Sequence, residues 1–329
     1  MIISRTPFRI SFFGGGTDYP VWYEKNGGMT LSATINKYAY ITVRELPPFF
    51  NYKHRIQYHL KEEVNSLEEI KHPVIREAAK LLGIKKGIEI VHNADLPARS
   101  GLGSSSTFTV GLLNALYAMK HQMVTKRELA LNAINLEQNI IGEAVGSQDQ
   151  TIAAFGGFNL IEFNKIKTFQ IQEMPISESR LKSLQENLIL CFTGFARTAE
   201  DIAKLQIEST PFKEKELIKM KEIANIAKEI IIDEKISIDV FGKLLNEQWF
   251  LKKSLTKYIS NKKIDKIYDT AINSGAIGGK LLGAGGGGFF LFYAKKKNHQ
   301  NIIKSLKNKL IVPFRFEKTG SQIIYYSNE

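Results

Sequence analysis

Residues 97–107, Pro-Ala-Arg-Ser-Gly-Leu-Gly-Ser-Ser-Ser-Thr, constrain the fold and function of this chain more than any other stretch. They follow an alternating, strand-like run at 87–92 and precede residues 108–119, whose apolar positions recur with a helical period. Glycines let the main chain approach a ligand closely, and the N–H groups at a helix start favour an anion. A helix N-cap would explain one hydroxyl residue, but not four after two glycines. The stretch therefore predicts a strand–loop–helix unit that binds phosphate.

The length and composition are those of a globular protein. The 329 residues allow two modest domains, and a hydrophobic content of 43% allows a substantial core. No apolar run reaches membrane-spanning length, and the first residues carry no charged-then-apolar signal pattern. The one cysteine, Cys191, lies in an apolar run and is expected to be a buried core thiol. These features predict a cytoplasmic protein with no membrane partner, and they leave a homodimer open.

The formal net charge of +12 has two interpretations. Many lysines alternate with glutamates on predicted helices, which is typical of solvated helix faces. An anionic ligand or nucleic acid would also explain the excess. No basic-aromatic repeat and no zinc-ligand spacing supports nucleic acid, so no nucleic-acid partner is expected. A phosphorylated small molecule is favoured instead.

Hydrophobic periodicity predicts a mixed α+β chain in two parts, residues 1–170 and 171–329, with the boundary where patterning weakens. Besides two short strand-like runs around Pro7, strands are predicted at 29–33, 38–43, 55–60, 87–92, 187–193, 289–293, 312–316 and 323–326. Helices are predicted at 74–82, 108–119, 126–141, 197–207, 212–232, 238–258, 264–273 and 298–310.

A second glycine-rich segment lies near the N-terminus, where three glycines precede Thr17 and Asp18. Such a bend exposes a carboxylate that can accept hydrogen bonds from sugar hydroxyls. A plain turn is the alternative, since glycine and aspartate are common in turns. Arg5 and Arg9 lie close by in the sequence and could bind a phosphate or orient Asp18.

Two acidic residues follow the glycine-serine stretch. Glu137 falls on the apolar face of the predicted helix 126–141, where a carboxylate is costly unless it is paired. It is either a metal ligand that faces the serines or a residue at the edge of that face that reaches water. Asp149 lies in a glycine-bounded loop, 142–150, and could equally cap a helix or act as a general base.

Two further candidates lie in the second part of the chain. Arg197 follows a strand-to-helix junction, where either an anion-binding arginine or a surface salt bridge would fit. Residues 278–288 contain seven glycines flanked by apolar residues. A flexible linker would be polar and serine-rich, so this segment is predicted to be an ordered loop in close main-chain contact with something else.

Together, the three glycine-rich segments and their acidic residues resemble the GHMP family of ATP-dependent small-molecule kinases. Residues 97–106 match the specific middle motif of that family, Pro-x-x-x-Gly-Leu-Gly-Ser-Ser-x. The Thr17–Asp18–Tyr19 end of the first segment is similar to the sugar-binding end of the galactokinase motif, and residues 283–289 are similar to the C-terminal glycine loop. The resemblance covers nearly the whole chain. It implies a GHMP kinase fold, with an N-terminal ribosomal-S5-like domain and a C-terminal ferredoxin-like domain.

The resemblance also implies residue roles. ATP would bind to Ser100, Gly101, Leu102, Gly103, Ser104, Ser105 and Ser106, and Mg²⁺ to Ser105 and Glu137. Asp149 would be the catalytic base, and Arg9 would stabilise charge near the transferred group. The substrate would bind to Arg5, Gly15, Gly16, Thr17, Asp18, Arg197, Gly285 and Gly286.

The triple glycine and the segments 146–150 and 192–197 are most similar to the heptose-kinase branch of the family. That branch phosphorylates the anomeric hydroxyl of D-glycero-D-manno-heptose 7-phosphate, a step towards nucleotide-activated heptose for surface polysaccharide. The alternatives are an L-fucose-type sugar-1-kinase and a catalytically silent member that binds sugar and nucleotide.

Overall fold

The computed structural model describes residues 1–166, 168–195 and 199–327 and contains two β-sheets covered by helices. The strands are β1 (Ile2–Phe13), β2 (Gly28–Glu45), β3 (His54–Gln57), β4 (Lys61–Val64), β5 (Ile88–Ala94), β6 (Phe158–Phe163), β7 (Phe169–Glu173), β8 (Leu188–Phe192), β9 (Gly278–Leu281), β10 (Phe289–Tyr293), β11 (Leu310–Ile311), β12 (Phe316–Glu317) and β13 (Gln322–Tyr326). The α-helices are α1 (Pro20–Asn26), α2 (Pro73–Leu81), α3 (Ser104–Met119), α4 (Lys126–Asn135), α5 (Gln148–Phe155), α6 (Glu178–Glu186), α7 (Ala199–Ser209), α8 (Glu214–Ile232), α9 (Asp239–Leu255), α10 (Lys262–Asn273) and α11 (His299–Ser305).

The first sheet is built around the long antiparallel pair β1 and β2. Its strand order is β13-β1-β2-β5-β3-β4, with β6 and β12 also pairing with β2, and β7 with β6. Helix α3 packs on β1 and β2, and ten of its sixteen residues are buried. A helix that is apolar on most sides lies inside a fold rather than on its surface, so the glycine-serine segment that precedes α3 is anchored in the core.

The second sheet has the strand order β11-β8-β10-β9, and all of its pairs are antiparallel. Along the chain the strands and helices follow a β-α-β-β-α-β order, with α7 to α10 in the first crossover and α11 in the second. This order is that of a ferredoxin-like unit, as the family resemblance implies. Cys191 lies in β8 and is buried, as expected, and burial raises the pKa of its thiol to about 12.

Among the differences from the predicted elements, three concern the domain boundary, the third glycine segment and the helix that carries Glu137. Strands β12 and β13 return to the first sheet, so a division at 170/171 does not follow the sheets. Residues 278–281, expected to be loop, form β9. The predicted helix 126–141 is α-helical only to Asn135 and continues as a π-helical turn, Leu136–Ile141. In the described part of the chain, no helix has the length and apolar character of a membrane span.

Candidate active site

The glycine-serine segment forms the loop between β5 and α3. Gly101 and Gly103 have φ angles of 81° and 78°, and α3 begins at Ser104. The first helical hydrogen bond runs from Thr107 N to Gly103 O at 2.8 Å. The N–H groups of the three serines before it therefore have no partner within the helix. Together with the positive end of the helix dipole, they form a site suited to phosphate.

Arg9 in β1 connects this loop to Asp149. Its main-chain N–H donates to Leu102 O at 3.1 Å, and its Nη1 donates to Gly101 O at 2.7 Å. Its Nε and Nη2 donate to the two carboxylate oxygens of Asp149 at 2.7 and 2.5 Å. The Arg9 side chain is 4% exposed and that of Asp149 is 22% exposed. The structure thus places the two predicted catalytic residues in a bidentate pair beside the glycine-serine loop, residues 97–107, which we call the phosphate loop. Only the carboxylate of this pair is accessible.

The third glycine segment packs main chain to main chain against the first part of the phosphate loop. A Cβ atom on Gly101 would lie 2.6 Å from Leu282 O, and one on Gly283 would lie 2.4 Å from Gly101 Cα. Phe289 N also donates to Ser100 O at 3.2 Å. The glycines are therefore required by the close approach of the two loops, which agrees with the prediction of an ordered segment.

Gly101→Ala should destabilise the protein by about 3 kcal/mol and abolish the thermal shift that Mg·ADP induces. The alanine would be strained at a positive φ angle, at about 1–2 kcal/mol, and would also overlap the carbonyl of Leu282, at about 1–3 kcal/mol. The matched control is Gly83→Ala, because Gly83 also has a positive φ of 61° but a Cβ there would have no atom within 4 Å. Urea unfolding should show that the control loses about 1 kcal/mol of its free energy of unfolding. Equal losses for both variants would contradict the close-approach argument.

Asp18 is buried in the turn after β1. Its Oδ1 accepts a hydrogen bond from Gly16 N at 2.9 Å, and its carbonyl accepts one from Ser147 N at 2.9 Å. Gly146 approaches so closely that a Cβ there would lie 1.9 Å from Asp18 Oδ2. Burial raises the pKa of Asp18 to about 6, and the charge of the nearby Asp149 adds to this. Asp18 and Asp149 are therefore close enough to interact electrostatically, but only Asp149 is accessible.

The raised pKa of Asp18 predicts how stability depends on pH. Between the ordinary value of 3.8 and about 6, the folded protein binds a proton that the unfolded chain has released. The free energy of unfolding should therefore fall as pH rises through this window. At 1.36 kcal/mol per pH unit, wild type should lose about 2 kcal/mol relative to Asp18→Asn between pH 4 and pH 7. Urea unfolding of both proteins at several pH values tests this, and a difference that does not vary with pH would rule it out.

Glu137 lies on the π-helical turn and is fully buried. Its Oε2 accepts hydrogen bonds from Ser106 Oγ at 2.9 Å and from Gln150 Nε2. Its Oε1 accepts no hydrogen bond from the described residues, since the hydroxyl of the nearby Thr109 donates to Ser105 O at 3.2 Å. Burial raises the pKa of this carboxyl to about 7, against the opposing effect of the Thr109, Gln150 and Ser106 side chains. A buried carboxylate oxygen without a partner is costly, and a divalent cation would satisfy it.

The serine that contacts Glu137 is Ser106, whereas the family resemblance implies that Ser105 binds Mg²⁺ together with Glu137. Ser105 is exposed and Ser106 is buried, because successive helical residues point about 100° apart. The hydroxyl of Ser104 accepts a hydrogen bond from Arg99 N at 3.1 Å and so stabilises the loop. The described residues contain no group of three or more His, Cys, Asp or Glu side chains that could hold a metal. A metal here would depend on few protein ligands, as Mg²⁺ does when phosphates supply the rest.

Two of the predicted substrate-binding residues, Arg5 and Thr17, make contacts that do not belong to the candidate site. Arg5 lies four residues from Arg9, about 13 Å along the strand, where it donates to Gln322 Oε1 at 3.0 Å and stacks on Tyr38. Thr17 is fully buried, and its hydroxyl donates to the carbonyls of Gly14 and Met29. The structure therefore does not bring Arg5 to the site and gives Thr17 a structural contact.

The remaining predicted substrate-binding residues are four glycines and Arg197. Gly15 is partly exposed near Ser11 Oγ and Gln148 Nε2, whereas Gly16 is buried against Leu217 and Leu255. At the tip of the third segment, Gly286 N donates to Ile259 O at 2.9 Å, and Gly285 also packs on Ile259. These contacts hold the tip within the second half of the chain. Arg197 lies outside the described residues.

Sequence reasoning missed Lys252 and Lys280, two buried lysines under the third glycine segment. Lys252 belongs to α9, where the lysines are expected to be solvated, yet it lies three residues from both the buried Trp249 and the buried Leu255. That spacing is a signal of burial that the sequence contains. Lys280 lies in a segment predicted to be loop, which has no helical or strand period that would indicate burial.

Comparison with known proteins gives consistent matches. The family model "GHMP kinases N terminal domain" matches residues 69–157, and "GHMP kinases C terminal" matches residues 223–311. The chain is 29% identical to a D-glycero-alpha-D-manno-heptose 7-phosphate kinase from Campylobacter jejuni over 97% of both chains. It is 24% identical to a bifunctional fucokinase/GDP-fucose pyrophosphorylase from Arabidopsis thaliana, over 85% of this chain and 28% of that protein.

Among solved structures, the chain is similar to one described as a D-glycero-D-manno-heptose 1-phosphate kinase from Bacteroides thetaiotaomicron. The TM-score is 0.81 with 25% identity, and the match covers 100% of both chains. The glycine-serine loop and Asp149 both fall within the residues that the N-terminal family model matches.

Proposed function

The chain belongs to the GHMP kinase family of ATP-dependent kinases, and from that premise we propose that it phosphorylates the anomeric hydroxyl of D-glycero-D-manno-heptose 7-phosphate. The product would be the 1,7-bisphosphate, a precursor of nucleotide-activated heptose for surface polysaccharide. The observation that carries the proposal is the accessible Asp149 carboxylate, held by Arg9 beside the phosphate loop and next to the buried Asp18. A reaction that uses ATP fits the predicted cytoplasmic location.

The residues around the loop fit ATP and Mg²⁺. The N–H groups of Ser104, Ser105 and Ser106 would bind the phosphates, together with the glycine main chain of the loop. The partnerless Oε1 of Glu137 would bind Mg²⁺, with Ser105 or Ser106 as a second ligand. The cation would neutralise charge on the transferred phosphoryl group.

Asp149 acts on the acceptor in this proposal. Both of its oxygens accept from Arg9, yet each retains a second lone pair for a hydroxyl proton. The anomeric O–H bond breaks as its proton passes to Asp149, the oxygen attacks the γ-phosphorus, and ADP leaves. Arg9 fixes the orientation of the carboxylate, and Asp18, together with Gly15, would bind other sugar hydroxyls.

The choice of a phosphorylated sugar rests on the Campylobacter relative and on the basic charge of the chain. Arg197 is the proposed ligand of the 7-phosphate, since Arg5 lies away from the site. The fucokinase relative supports the alternative, an L-fucose-type sugar-1-kinase. A silent sugar- and nucleotide-binding member is a second alternative.

A panel of acceptors distinguishes the heptose 7-phosphate kinase from the fucose-type kinase and the silent member. The protein is incubated with Mg·ATP and either heptose 7-phosphate, mannose, fucose, galactose, homoserine or mevalonate, and ADP release is followed. We expect turnover with the heptose phosphate, and Arg197→Gln should raise KM for that sugar by about 10-fold or more, the loss of a charge-assisted hydrogen bond. Turnover with fucose alone would favour the alternative. No turnover with any acceptor, with Mg·ADP binding retained, would indicate a silent member.

A further inference from the structure

Two lysines that the proposed mechanism does not use are buried beside the candidate active site. Lys252 in α9 is 6% exposed, and Lys280 in β9 is 3% exposed. Lysine is seldom fully buried, because removing its ammonium group from water costs free energy unless hydrogen bonds or charges compensate. Their burial therefore requires an explanation in terms of what the two ammonium groups contact.

Both ammonium groups donate to main-chain carbonyls in or just before glycine-rich segments. Lys252 Nζ donates to Leu281 O at 2.7 Å and to Gly283 O, both within the third glycine segment, residues 278–288. Lys280 Nζ donates to Ser11 O at 2.9 Å and to Phe12 O at 2.8 Å, just before the first glycine segment. Lys280 thus joins the second sheet to the first, and Lys252 fixes the segment that packs on Gly101.

The hydrogen bonds of Lys252 and those of Lys280 are both connected to the side chain of Arg9. Gly283 touches Gly101, whose carbonyl accepts from Arg9, and Ser11 lies two residues from Arg9 in β1. Arg9 in turn holds Asp149. Displacement of either carbonyl anchor would therefore be transmitted through Arg9 to the Asp149 carboxylate.

Lys252, Lys280 and Arg9 lie close to one another, and basic groups outnumber carboxylates around them. Burial, and then the charge of Arg9, lowers the pKa of Lys252 to about 7. Burial, and then the charges of Lys252 and Arg9, lowers the pKa of Lys280 well below its usual value, while Asp18 opposes this. Three basic groups thus face two carboxylates, Asp18 and Asp149. An anion that enters the site would favour the charged form of both lysines.

We propose that Lys252 and Lys280 are positioning residues that hold the three glycine segments in the arrangement in which phosphoryl donor and hydroxyl acceptor meet. This inference rests on the proposed kinase function. A lysine that only stabilises the fold would affect melting temperature, and the correctly folded molecules would turn over normally. A positioning lysine affects kcat in molecules that are folded and bind nucleotide.

The test uses the full chain and the acceptor that wild type turns over fastest. Lys252→Met and Lys280→Met keep much of the side-chain volume and remove the donor. We expect kcat to fall about 100-fold, as for a small misplacement of reacting groups, with KM for ATP within about threefold and the Mg·ADP thermal shift retained. The matched control is Lys253→Met, because Lys253 is the next residue of α9 and contacts Asp265 and aromatic rings instead of the glycine segments.

Lys252→Arg and Lys280→Arg provide the second comparison, since arginine keeps a charged donor. Each should recover at least about a tenth of the wild-type kcat, a partial return of the lost positioning. The proposal is overturned if the Met variants keep kcat within threefold of wild type, or if Arg and Met variants lose kcat equally while folded. If a Met variant does not fold, the Arg variant decides. The proposal is overturned if that Arg variant is folded but inactive while Lys253→Met is active. If wild type turns over no acceptor, the proposed function fails first, and this inference fails with it.

Discussion

Asp149→Asn should lower kcat by about 1,000-fold while the protein still binds Mg·ADP. Asparagine has nearly the same shape but cannot take a proton from the acceptor hydroxyl, and a positioned general base contributes about 10²–10⁴-fold. The substitution also leaves the buried Arg9 without its counter-charge. Arg9 is buried but Asp149 is 22% exposed, so the cost should be below the value of about 3–5 kcal/mol for a fully buried pair, and the melting temperature should fall as well.

The two effects of this substitution can be measured separately. Initial rates are taken at a temperature where circular dichroism shows the variant folded, and nucleotide binding is followed by the Mg·ADP thermal shift. The matched control is Asp269→Asn, since Asp269 is an exposed aspartate on α10, and it should retain wild-type kcat. A folded Asp149→Asn protein with kcat within tenfold of wild type would remove Asp149 from the mechanism.

The strand–loop–helix unit around residues 97–107 can be predicted from the sequence because its signals are local. The glycines, the hydroxyl residues and the helical period of α3 lie within one stretch, and the fold agrees with them. Glu137 can be recognised because a carboxylate on an apolar helix face is unusual, whereas Asp149 is assigned a role only through the resemblance to the family. What the sequence cannot supply is the partner of each carboxylate, since Arg9 lies 140 residues from Asp149.

Other features depend on tertiary contacts that have no local signal. Gly278 and Gly279 pair with β10, and both must be glycine because a Cβ at these positions would overlap Gly242 O and the ring of Phe292. Glycine is otherwise rare in strands, so composition alone indicates a loop. The return of β13 to β1 joins residues more than 300 positions apart. Likewise, helical phase is too coarse to decide whether Ser105 or Ser106 faces Glu137, and only the packing of α3 decides it.

Glu137→Gln should lower kcat/KM for Mg·ATP by about 100-fold and raise the Mg²⁺ concentration that gives half-maximal rate. Metal neutralisation of a transferring phosphoryl group contributes several kcal/mol, and each 1.36 kcal/mol is tenfold in rate. Glutamine still offers Ser106 and Gln150 an acceptor oxygen, but it has no negative charge for the cation. Glu45→Gln is the control, because Glu45 is exposed and pairs only with Lys86 among the described residues.

The same substitution should leave the metal-free protein at least as stable as wild type. Glu137 is fully buried with one oxygen that has no partner among the described residues, so its ionised form is unfavourable in the folded chain until a cation arrives. Loss of activity without loss of melting temperature would distinguish a ligand from a residue of the fold, and an unchanged Mg²⁺ dependence would exclude Glu137 as a ligand. Ser105→Ala and Ser106→Ala, measured in the same way, identify the serine that completes the site, because only the serine that binds the metal should shift the Mg²⁺ dependence towards that of Glu137→Gln.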